Sequence, residues 1–276
     1  MKIGEINTLE IQKETAIGLF LSDDLGMEVL LPKRYVPKKF QVGDKLDVFI
    51  YRDSEDRLIS TTETPRAQLR ELGWMTVKSV TEAGAFLDWG LSKDLFVPLK
   101  EQVVKLKEGE THLVYVYLDD LTQRLAASPR LERFLKELPE GLEKGSTIKA
   151  TIWKEHHPLG FQVIVNDKYL GMVYANQVFQ DLKIGETLNA YVNAVRDDGR
   201  IDVMLQKPGH ESIDDASKEL IDALEKSNGF LPLTDKSSPE DIYSTLSMSK
   251  KSFKKAVGSL YKSRIIELQN DGIKLL

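Results

Sequence analysis

The chain has no cysteine among its 276 residues. Disulfides and thiolate chemistry are therefore excluded, and the composition suits a reducing compartment. Long apolar runs are missing too: nothing approaches the ~18 residues that a membrane-spanning helix needs. The opening stretch "MKIGEINTLE" has no apolar core of the kind a secretory signal carries, so the expected location is cytoplasmic. Histidine is scarce, with only His112, His156, His157 and His210, and their spacing matches no metal site. His156-His157 precedes Pro158 and reads as a turn. There is no glycine-rich phosphate loop and no nucleophile elbow. The paired acids of "DDLTQR" and "RDDGR" suit hairpin turns. These absences remove the usual enzyme classes, a metal-dependent nuclease among them, and predict neither a catalytic residue nor a cofactor. Positive charge is also in deficit: the formal net charge is −5. A protein living on phosphate normally leaves a basic footprint.

One stretch is written three times. "VGDKLDVFIYRDSEDRLISTTETP" begins at Val42, "EGETHLVYVYLDDLTQRLAASPR" at Glu108 and "IGETLNAYVNAVRDDGRIDVMLQKPG" at Ile184. Each copy opens with a glycine (Gly43, Gly109, Gly185) and runs through an alternating strand and an Asp-rich turn. It then reaches an arginine (Arg57, Arg124, Arg200) and ends at a proline (Pro65, Pro129, Pro208). The Gly-to-Arg distances are 14, 15 and 15 residues, and the glycines lie 66 and 76 residues apart. Solenoid repeats have periods of ~20–50 residues, so this spacing points to a small domain used three times. Short alternating runs such as "TAIGLFLS", "GAFLDW", "LVYVYL" and "FQVIV" predict about five half-buried strands per copy. Five short strands with tight turns favour a closed barrel, because closure removes exposed edges.

Between the second and third copies, "SPRLERFLKELPEGLEKG" has Leu131, Phe134, Leu135 and Leu138 at helical spacing behind Pro129, which predicts a linker helix. "TPRAQLRELG", from Thr64, reads as a shorter version. After Gly209 the grammar changes. "SIDDASKELIDALEKSNGF" opens on a Ser212 cap with Ile213, Leu220, Ile221 and Leu224 apolar, and "SPEDIYSTLSM" opens on Ser238 and Pro239. "SKKSFKKAVGSLYKSRIIEL" puts Phe253, Ala256, Val257, Leu260 and Tyr261 on one side. Two β-runs, Ile265–Leu268 and Ile273–Leu275, then flank "NDG", a strong hairpin signal. Three helices and a hairpin describe a winged helix. The expected layout is mainly β: barrels over 1–63, 64–128 and 145–210, a helical linker over 129–144, and an α/β winged helix over 211–276.

The barrels resemble the S1-type RNA-binding domain, an oligonucleotide/oligosaccharide-binding (OB) fold. Its pattern is a Gly-x-Phe strand, a Gly-Leu-Val-His-like strand and a closing hairpin. Gly84, Phe86, Val97, Gly109 and Arg124 follow it in the second copy, and Gly18, Phe20, Pro32, Gly43 and Arg57 in the first. The third offers Gly160-Phe161, "GMVYANQ", Gly185 and Arg200. The whole layout resembles the conserved virulence factor B family of bacterial RNA-binding proteins. That resemblance implies RNA binding, chiefly of single strands, linked to control of gene expression. The family's histidine position is Pro32 and Pro98 in the first two copies and Tyr174 in the third. It thereby assigns RNA contact to Phe161, Tyr174 and Arg200 of the third barrel, with Phe20 and Phe86 fitting either a stacking face or barrel packing. An arginine at such a turn also commonly pairs with a nearby carboxylate. Apart from the resemblance, Lys250 to Arg264 holds six basic residues and no acidic one. Lys250/Lys254 and Lys251/Lys255 are i, i+4 pairs that form adjacent rows, suited to phosphate or to a solvated helix face. A scaffold that docks on RNA-processing or transcription proteins is the competing reading.

Overall fold

The computed structural model describes residues 1–178, 181–205 and 215–276. Two compact units result, Met1–Val203 and Met204–Leu276. The first holds three closed five-stranded barrels of identical order. Barrel one consists of β1 (Ile6–Thr15), β2 (Gly18–Ser22), β3 (Glu28–Pro32), β4 (Lys45–Arg52) and β5 (Leu58–Thr61). Barrel two consists of β6 (Leu72–Val80), β7 (Gly84–Leu87), β8 (Leu95–Pro98), β9 (Thr111–Leu118) and β10 (Leu125–Ser128). Barrel three consists of β11 (Thr147–His156), β12 (Gly160–Val165), β13 (Tyr169–Tyr174), β14 (Thr187–Val195) and β15 (Ile201–Met204). In each, strands one to three form an antiparallel meander. The third strand pairs in parallel with the fifth, and the first closes on the fourth. The repeated arginine, expected within the fifth strand, instead immediately precedes it in all three barrels.

Strand alternation decides what lies inside. Leu9, Ile11, Leu19, Leu21, Val29, Leu31, Val48 and Ile50 fill the first barrel. Such small barrels have marginal cores, and here they share them. Phe49, fully buried on β4, meets Trp89 edge-on at 5.3 Å, so the core of the second barrel continues into the first. Burial of one such ring is worth about 1.5–3 kcal/mol. The second and third barrels join through Leu113, Leu131 and Ile164, with Trp74, Trp153 and Leu170 packed around them.

The expected helices between barrels do not form. Over 129–144 there is a single 3-10 turn, Leu131–Arg133, and over 64–71 there is none. The apolar residues are taken one by one by barrel walls instead of by a common helix face. Leu131 is buried between barrels, and Phe134 stacks on Tyr115 at 4.5 Å and leans on Tyr117 at 5.2 Å. Arg133 bonds the buried Glu101 carboxylate, which also accepts from Ser128 Oγ at 2.8 Å. In the shorter stretch, Leu69 N–H donates to Gly4 O (2.7 Å) and Arg70 N–H to Val116 O (2.8 Å), tying backbone to neighbouring strands.

The second unit contains α1 (Asp215–Lys226), β16 (Phe230–Leu231), α2 (Pro239–Leu246), α3 (Lys250–Lys262), β17 (Ile266–Leu268) and β18 (Ile273–Leu275). Its sheet runs β16-β18-β17, with the short β16 an addition to the expected hairpin. Ser238 and Ser249 cap α2 and α3, each accepting a backbone N–H three residues on. Leu220, Leu224, Ile242, Phe253, Leu260 and Ile273 lie in one core. The expected Ser212 cap, Ile213, His210 and the closing Pro208 lie outside the described residues. No described helix is long and apolar enough to cross a membrane.

Candidate nucleic-acid interface

Glycine sets the register of all three barrel faces. Gly18 pairs with Pro32, Gly84 with Pro98 and Gly160 with Tyr174. Counting from these glycines, Leu19, Ala85 and Phe161 are equivalent and share the inner face, while Phe20, Phe86 and Gln162 are equivalent and point outward. The two sequence motifs therefore differ by one residue. In the first two barrels a residue separates glycine from phenylalanine; in the third they are adjacent. Phe161 pairs with Val173, which is fully buried, whereas Tyr174 stands on the other face opposite Gly160. Phe161 and Tyr174, both expected to contact RNA, thus lie on opposite faces of the sheet. Phe161 instead borders a hollow at the barrel end with His157, Pro158, Ala175 and Val178.

The outer face of barrel two is aromatic. Phe86 and Phe96 are directly paired across β7 and β8, with centroids 5.1 Å apart. Both are half-buried. They line a mainly apolar cavity of about 530 Å³ bordered by Tyr51, Lys93, Pro98 and Arg124. Lys93 Nζ donates to Arg52 O at 2.8 Å and sits 5.9 Å from the Tyr51 ring centre. Burial holds its pKa below the usual lysine value, and the neighbouring Arg124 charge adds to this. Arg124 itself bonds Asp56 of the first barrel at 3.2 Å. In barrel one, Phe20 pairs across the face with Leu30, and Lys13 Nζ lies 4.7 Å above its ring. Arg57 is paired with both Asp53 and Glu55 at 2.8 Å.

The outer face of barrel three gathers a different set. A β-bulge interrupts the first strand of every barrel at the same place, leaving Gln12, Lys78 and Trp153 as the extra residues. In the third barrel this puts an indole beside Gln162, Met172 and Tyr174 on a cavity of about 150 Å³, with Arg196 and Arg200 on its rim. Arg196 donates to the Tyr174 hydroxyl and, at 2.8 Å, to Asp202; its guanidinium lies 5.8 Å from the tyrosine ring centre. Tyr174 also donates to Asp202 at 3.4 Å. Arg200 is more than half exposed and only loosely paired, 3.8 Å from Asp198. Sequence reading misses Trp153, because the bulge that exposes it shows only when the three first strands are aligned. It misses Phe96, Lys93 and Arg196 because no repeated position marks them.

On α3, Phe253, Ala256 and Leu260 are buried and Val257 is half-buried. Tyr261, expected on that side, is 54% exposed. Lys251, Lys254 and Lys255 are exposed and Lys250 half-buried. The first turn of α3 carries no acid, although a helix N-terminus favours negative charge. Lys250 and Lys251 of that turn therefore oppose the local field, and Lys254 and Lys255 follow in the next turn.

Among the described residues no group of three or more His, Cys, Asp or Glu could hold a metal ion. Residues 3–63 match the S1 domain model, and residues 218–275 match the CvfB-like winged helix domain. A Bacillus subtilis relative, uncharacterized protein YitL, is 27% identical over 98% of this chain and 92% of its own length. Conserved virulence factor B of Staphylococcus aureus strain USA300 is 27% identical over 99% of this chain and 94% of its own. A Streptococcus pneumoniae crystal structure, of a multidomain protein with nucleic acid binding domains, aligns over 99% of this chain and 98% of that one. Its identity to this chain is 26% and the TM-score 0.43. With a match to the S1 domain model, a match to the CvfB-like winged helix model and similarity over nearly its full length to proteins of that name, the chain is similar to the conserved virulence factor B family.

Proposed function

We propose that the chain is a cytoplasmic, non-catalytic RNA-binding protein that regulates gene expression by engaging single-stranded transcripts. The reading rests chiefly on one observation: Trp153, Tyr174, Arg196 and Arg200 converge on one cavity on the outer face of the third barrel. Aromatic faces take unstacked bases, and guanidinium groups at the rim take phosphates. The Phe86–Phe96 pair offers barrel two as a second stacking surface, alongside the family's implied role for Phe20. The α3 lysines supply charge without base recognition. Similarity to the conserved virulence factor B proteins and the S1 domain match support the same reading. The test is titration of the full chain against single-stranded RNA, single-stranded DNA and duplex DNA at two salt concentrations. Single-stranded RNA should bind tightest; equal binding to duplex DNA would overturn the proposal.

Changing Lys250, Lys251, Lys254 and Lys255 together to Ala should weaken binding to all RNA sequences alike. The slope of log affinity against log salt should flatten by roughly 0.7 for each phosphate that is no longer neutralised. An unchanged slope would assign α3 to a protein partner. Two observations favour that second reading, a scaffold on an RNA-processing or transcription complex. Arg57 and Arg124 are already neutralised by carboxylates, and Pro32 and Pro98 replace residues that could stack or donate.

A further inference from the structure

Gln162 occupies the position that Phe20 and Phe86 hold in the first two barrels, on the outer face directly opposite Met172. Its Oε1 is buried and has no hydrogen-bond partner among the described residues. Buried carbonyl oxygens are nearly always paired, so an orphan that lines a cavity calls for a missing donor. The cavity it lines is bounded by Trp153 and Tyr174, which can sandwich a planar ring, and its wall includes Glu132, a second acceptor. An amide carries a donor and an acceptor side by side, so a base edge with an adjacent amino group and ring nitrogen satisfies both ends at once. Uracil also complements an amide, through N3–H and O4, but that single N–H can meet only one of the two acceptors, whereas an exocyclic amino group carries two N–H donors, one for Gln162 Oε1 and one for Glu132.

We infer that Gln162 is a specificity-determining residue that makes the third barrel select an amino-bearing base, with adenine the simplest case, while the first two barrels offer unselective stacking. This rests on the RNA-binding reading above and deepens it. Phenylalanine at the equivalent position accepts any base, because every base has a π-face. An amide in the same place binds only the edges that complement it.

The probes are oligoadenylate and oligouridylate of equal length, and oligoadenylate whose bases are N6,N6-dimethylated, each measured with the full chain by fluorescence anisotropy. Oligoadenylate should bind about fivefold tighter than oligouridylate, the effect expected of one or two net hydrogen bonds, and dimethylation should remove that gain. Gln162→Phe should melt near wild type and still bind, with the adenine-to-uracil ratio falling toward one. Gln162→Leu, smaller and apolar, repeats the test should the aromatic ring strain the face. The dimethylated probe needs no variant at all, so it decides the question even where a variant folds poorly. Equal wild-type affinity for all three probes, or an adenine preference that survives in Gln162→Phe, overturns the inference and leaves RNA binding standing. Absence of binding to any RNA overturns both.

Discussion

Gly84→Ala is expected to cost about 3–5 kcal/mol, the range reserved for substitutions that break a packed element. An added Cβ would stand 2.2 Å from Val97 O, and the backbone there has φ +157°. That carbonyl is backbone rather than a flexible side chain, so relief requires opening the β7–β8 ladder. Barrel two shares its core with barrel one through Phe49 and Trp89, and the damage should spread to both. At ~2–4 °C per kcal/mol for a unit of this size, melting should fall by roughly 10 °C. Gly109→Ala is the control. It also has positive φ, +82°, but nothing lies within 4 Å of its Cβ position. Only the conformational cost of about 1–2 kcal/mol should appear. Equal losses for the two variants would show that close approach is not what the first glycine serves. The same crowding recurs at Gly18 and Gly160, where Leu31 O and Val173 O lie 2.1 Å from the added carbon. This is the physical content of the glycine that opens the second strand of each barrel.

That glycine is legible in the sequence because its cause is local: a strand start at which the partner carbonyl must come close. The barrels and the winged helix are legible for the same reason. Alternation, turn residues and caps are short-range signals, and here they agree with one another. The linker helix is a false signal because Leu131, Phe134 and Leu135 mimic a helical face while each serves a different wall. Propensity gives way to tertiary contacts, including the bond from Arg133 to buried Glu101. At the candidate site the outcome is mixed. Phe20 and Phe86 do point out of their barrels, and Tyr174 and Arg200 do border one cavity. Phe161 does not join them, because adjacency to Gly160, in place of a one-residue gap, moves it to the inner face. That difference is visible in the sequence, but only the paired register gives it meaning. Trp153, Lys93 and Arg196 depend on a bulge, a neighbouring barrel and a hairpin, none of which leaves a repeated mark.

Tyr174→Ala and Phe161→Ala should fail in opposite ways. Tyr174 stands on the outer face and is held by Arg196 and Asp202, outside the barrel core. Its loss should leave melting close to wild type and weaken single-stranded RNA binding tenfold or more, which is about 1.4 kcal/mol and within the range for one stacked base. Tyr174→Phe keeps the ring and should bind nearly as well, since the hydroxyl only fixes its orientation. Phe161 is half-buried on the inner face, paired with Val173. Truncating it should lower stability by about 1–3 kcal/mol, less than the ~3–5 of a fully buried phenylalanine, while the folded fraction binds normally. Trp153→Ala should do some of both, because the indole borders the cavity and also packs against the junction of the second and third barrels. A Tyr174→Ala chain that binds as wild type, beside a Phe161→Ala chain that melts normally and binds weakly, would move the interface to the barrel end. The outer face would then be only a wall.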